Sequence, residues 1–94
     1  MGRLEESRRL LKRVFEMAYE VYLEEERDKG DSWRDKSVSE LYEHLKSEIS
    51  EIMKDDDPNE MLHDCLDACA LSALLAAKII IETGASRYLK FKKL

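Results

Sequence analysis

The chain has 94 residues, enough for one domain, and a chain this short buries only about 60–65% of its unfolded surface. Acidic residues outnumber basic ones by 21 to 16, a net charge of -5, which argues against a general nucleic-acid binder. At 44% hydrophobic the chain is too apolar to be disordered, and two cysteines make no disulfide framework, so a reduced, cytoplasmic setting is expected.

The segment from Met1 to Arg13 is charged and lacks the apolar region of a signal peptide. No run reaches the roughly 18 apolar residues of a membrane span, so no membrane partner is expected. The first helix is predicted over about residues 3–28. Leu10, Leu11, Val14, Phe15, Ala18, Val21 and Tyr22 recur at three- and four-residue spacing. Gly30 is placed to stop it. Asp31 to Lys36 reads as a loop. The second helix is predicted over about 38–54, opened by a capping box of Ser37 and Glu40. The third is predicted over about 58–82. Asp57 opens it, with Pro58 as its first residue and Glu60 closing a second capping box, and Gly84 ends it. The tail, 84–94, is a short helix or an extended arm. It carries four basic residues and no acidic one, whereas Glu40 to Asp67 holds ten acidic residues and two lysines. The fold class is all-α, in one domain spanning 1–94.

Two acidic positions break apolar faces. In the second helix Val38, Leu41, Leu45, Ile49 and Ile52 form one stripe, and at about 100° per residue Glu48 falls between Leu41 and Ile52. Glu51 lies on the stripe's border. In the third helix the only polar residues from Cys65 to Ile81 are Asp67, Ser72 and Lys78. Asp64 and Asp67 lie one turn apart on the line that Leu71, Leu75 and Lys78 continue. A buried carboxylate takes up a proton, pairs or binds a metal. Facing pairs Glu48/Glu51 and Asp64/Asp67 would form a cage of oxygen ligands suited to Mg²⁺, with Mn²⁺ as a substitute. The alternative is ion pairing at a partly wet interface.

The stretches Lys29-Gly30-Asp31-Ser32-Trp33-Arg34-Asp35, Leu45-Lys46-Ser47-Glu48-Ile49-Ser50-Glu51 and Asp64-Cys65-Leu66-Asp67-Ala68 resemble the MazG-like nucleotide pyrophosphohydrolases, of the all-α NTP pyrophosphatase superfamily. The resemblance covers about residues 25–80. Its pattern is a glycine-tryptophan loop, an EExxE helix and an E/DxxD helix. The resemblance implies that Glu48, Glu51, Asp64 and Asp67 hold Mg²⁺ and that a nucleoside triphosphate is split to monophosphate and pyrophosphate. It also implies that Glu48 or Glu51 acts in catalysis. Ser47 stands where the family has the first acid of EExxE, and Ala70 where relatives often carry Asn. Both departures favour the rival expectation of a non-catalytic helical module.

Other residues keep two readings. Trp33 stacks on a nucleobase, as the resemblance implies, or plugs the bundle end. Lys29 and Arg34 meet phosphates or are solvated. Lys78 reaches a phosphate oxygen, snorkels to water or pairs locally. Tyr88 and Lys90 close over the nucleotide or belong to a loose basic end. Cys65 and Cys69 are expected as core thiols. Glu60-Met61-Leu62-His63 is an ExxH unit of the kind used in di-iron bundles, a third and weaker expectation. The third helix is too apolar for this chain to cover. Helices of two or more copies are therefore expected to form four-helix bundles, as a homodimer or homotetramer.

Overall fold

The computed structural model describes residues 2–85, and among them every regular element is helical. Helix α1 is Arg3–Lys29, α2 is Val38–Ile52 and α3 is Pro58–Thr83. The expected bounds hold to within two residues. The loop after α1 contains one 3₁₀ turn, Ser32–Asp35.

Local chemistry explains the ends. The Ser37 hydroxyl accepts from the Glu40 amide at 3.1 Å, and Glu40 Oε1 accepts from the Ser37 amide at 3.0 Å, completing the expected capping box. Hydrogen bonding from Ser37, first from its amide, holds the Glu40 carboxyl below its usual value. At α3 the cap is simpler than expected. Asp57 Oδ1 accepts from the Asn59 amide at 3.0 Å, and no reciprocal bond from Glu60 accompanies it. Gly84 ends α3 in the left-handed conformation, φ 69°, its amide donating to the Ile80 carbonyl. Gly30 also has a positive φ, 59°.

Helix α3 is the centre of the fold, with α2 and α1 both packed against it. The core is thin. Among the described residues only Ala18, Leu41 and Leu66 are buried apolar side chains. The radius of gyration is 15.2 Å, against about 12.4 Å for a compact chain of this length. No described helix is long and apolar enough to cross a membrane. Cys65 is exposed and Cys69 half-buried, so the expectation of two core thiols fails for Cys65. Leu62, Ile79, Ile80 and Ile81 remain exposed.

Candidate functional site

A cavity of about 290 Å³ opens between the C-terminal half of α1, the 3₁₀ turn, α2 and α3. Its wall is built from residues one or two turns apart on each element. Tyr22, Glu25, Glu26 and Lys29 come from α1, Leu41, His44 and Glu48 from α2, and Asp67, Ala70, Leu71 and Leu74 from α3. Trp33 and Lys36 close the end nearest the turn. Four carboxylates face two lysines, which leaves the cavity acidic.

Asp67 is the electrostatic focus. Its carboxyl is raised above the ordinary aspartate value, first by burial. His63 acts against that shift, Glu48 and Glu25 add to it as like charges, and His44 opposes it. Carboxylates from α1 and α2 therefore both act on this carboxylate of α3. Each histidine sits one turn before an acid. His44 Nε2 is 3.5 Å from Glu48 Oε1, and His63 Nδ1 is 3.4 Å from Asp67 Oδ2. His63, Asp64 and Asp67 each bring one ligand atom to within 4.8 Å of the others. Two carboxylate oxygens and one imidazole nitrogen suit a divalent cation, and the nitrogen suits Mn²⁺ better than Mg²⁺.

The residues expected from the sequence are dispersed unevenly. Glu48, Asp67, Lys29 and Trp33 line the cavity. Asp64 lies one turn below Asp67. The Asp55 carboxyl is raised by its hydrogen bond with Asp64 and by that neighbour's charge. Glu51 lies outside the cavity wall and pairs with Lys54 at 3.7 Å. Lys29 is paired with Glu25 at 3.1 Å. The Arg34 side chain is exposed, while its carbonyl accepts from the Lys78 ammonium. Lys78 is buried, also pairs with Glu82 at 3.4 Å, and does not line the cavity. Its local role is to tie α3 to the 3₁₀ turn. Tyr88 and Lys90 lie outside the described residues.

Trp33 is half-buried, and among the described residues its indole nitrogen is enclosed without a hydrogen-bond partner. That nitrogen lies beside the Tyr22 hydroxyl but outside hydrogen-bond geometry. Tyr22 donates instead to Glu26 Oε2 at 2.7 Å, which raises its pKa, while the neighbouring indole acts the other way.

Sequence reasoning missed Glu25, His44 and His63 as members of this cluster. The signal for Glu25 was the same as for Glu48. It falls three residues after Tyr22 and seven after Ala18, on the apolar stripe of α1. The signal for the histidines was a repeated spacing, His44 to Glu48 and His63 to Asp67, each i,i+4. Comparison with protein families, with curated proteins and with solved structures finds no match for this chain.

Proposed function

We propose that the chain is a divalent-metal-dependent nucleoside triphosphate pyrophosphohydrolase of house-cleaning type. It would release a nucleoside monophosphate and pyrophosphate. The observation that carries this reading is the convergence of Glu25, Glu48 and Asp67 on one cavity beside the indole of Trp33. An acidic cavity repels a bare polyphosphate and accepts it as its metal complex. His63, Asp64 and Asp67 would hold Mg²⁺ or Mn²⁺, with Glu48 opposite and Glu51 further out along α2. A bound cation neutralises phosphate charge and supplies an activated water. Trp33 offers a stacking face for a base, and Lys29 and Lys36 offer cations at the rim. Glu48 orients a water or accepts its proton, steadied by His44.

The working form in this proposal is a cytoplasmic homodimer or a tetramer of two dimers, in which helices of different copies complete four-helix bundles. The exposed isoleucines at the end of α3 support it. A second reading, a non-catalytic helical module, is favoured by the surface pairing of Glu51 with Lys54 and by Ser47.

The test is pyrophosphate release from a panel of canonical and damaged ribo- and deoxyribonucleoside triphosphates, with Mg²⁺, with Mn²⁺ and with neither. Metal-dependent release, lost in Asp67→Ala, is the expected result. Silence across the panel from folded protein would replace this reading with the second.

A further inference from the structure

The acids around the cavity fall into two groups. Glu25 and Glu48 act by their charge on Asp67, where the proposed metal would sit. Glu26 is turned about 100° from Glu25 around α1 and has a different partner. Its Oε2 accepts from the Tyr22 hydroxyl at 2.7 Å, and that hydroxyl lies beside the Trp33 indole nitrogen. Tyr22, Glu26 and Trp33 all line the cavity. At about 290 Å³ the cavity is at the small end for ligand sites, so a base seated on Trp33 comes close to this part of α1.

The hydrogen-bonding capacity of the pair is one-sided. A phenol has one proton, and Tyr22 gives it to Glu26. Toward anything else its oxygen can only accept. A carboxylate also only accepts. The enclosed indole N–H of Trp33 adds no donor, so its ring face is what it offers. Tyr22 and Glu26 therefore present acceptors side by side, next to an aromatic stacking surface.

Bases bound singly are read on their Watson–Crick edges while they stack on aromatic side chains. Guanine carries two adjacent donors there, N1–H and the 2-amino group. Adenine and cytosine each set a donor beside an acceptor, and uracil has one donor between two acceptors. Hypoxanthine keeps the N1–H and lacks the amino group. We propose that Tyr22 and Glu26 select guanine in the nucleotide that the cavity takes, an inference that rests on the nucleotide reading above. Lys36, on the same wall as Trp33, is a cation suited to the guanine O6. Glu26 is exposed, so water competes for its oxygens. The expected preference for guanine over hypoxanthine is therefore about tenfold, within the range of a good paired contact.

Two measurements test it. One is pyrophosphate release from guanosine, inosine, adenosine, cytidine and uridine triphosphates with Mn²⁺. The other is binding of the matching monophosphates, read by quenching of Trp33, the chain's single tryptophan. Both are made on wild type and on Glu26→Gln, with circular dichroism as the folding control. The amide can still accept from Tyr22 but replaces one acceptor oxygen with a donor. Wild type is expected to favour guanine in both measurements, and Glu26→Gln to reduce that preference to under about twofold. Release from every triphosphate without a guanine preference would overturn the proposal and leave the hydrolase reading standing. Guanine-selective quenching without release would do the reverse. No quenching and no release would overturn both. A guanine preference unchanged in Glu26→Gln would refute the assignment to Glu26.

Discussion

Lys78→Met removes the one buried charged side chain among the described residues while keeping most of its stem. In the wild type the ammonium donates to the Arg34 carbonyl and pairs with Glu82. A hydrogen bond from a charged donor is worth about 1.5–3 kcal/mol, and the carbonyl loses that partner in the variant. The Glu82 side chain is 44% exposed, so its ion pair contributes under about 1 kcal/mol. Relief of ammonium burial offsets part of the loss, and we expect a net destabilisation of about 2 kcal/mol. For a domain of this size that lowers Tm by roughly 8–16 °C at fixed protein concentration. Urea unfolding should show a lower midpoint with an unchanged slope. The chain has a single tryptophan, Trp33, which sits in the turn that Lys78 ties down. Its emission should shift to longer wavelength in the variant, before global unfolding. An unchanged midpoint together with an unchanged emission maximum would refute the assignment of Lys78 as the tether of this turn.

Ser37→Ala removes half of a complete capping box and should destabilise the chain by about 1 kcal/mol in urea titrations. Asp67→Asn should raise stability at neutral pH in metal-free buffer. The raised carboxyl binds its proton more tightly in the folded chain. Wild-type stability therefore falls as pH rises from the ordinary aspartate value to the raised one, and that slope should flatten in the variant. Mn²⁺ at a hundredfold over its Kd should stabilise the wild type by about 2.7 kcal/mol and leave Asp67→Asn unmoved in a thermal melt. His63→Ala should erode the preference for Mn²⁺ over Mg²⁺ in the same melts, because it removes the nitrogen donor.

Helix bounds were legible because each end carries its own chemistry within four residues. Ser37 and Glu40 cap α2, Pro58 opens α3, and Gly84 closes it with a positive φ. Glu48 and Asp67 were legible for a related reason. An acid on an apolar stripe is conspicuous in the sequence, and the helical period alone sets which way it faces. Glu60 was misjudged within that local range, since Asp57 caps α3 through Asn59. Cys65 was misjudged because an apolar neighbourhood in sequence does not say which side of α3 is covered.

What lay beyond the sequence concerns distances between elements. Glu25 is 23 residues from Glu48 and 42 from Asp67 in the chain, and only the packing of α1 and α2 on α3 turns all three toward one cavity. Lys78 had three open roles until the tertiary structure set its ammonium under the carbonyl of Arg34, 44 residues away. Backbone hydrogen bonding and side-chain periodicity act within a turn, so sequence by itself determined the three helices and the faces they offer. Helix packing follows from which faces can be buried together, a property of the whole chain. That decided the cavity and its cluster of acids and histidines.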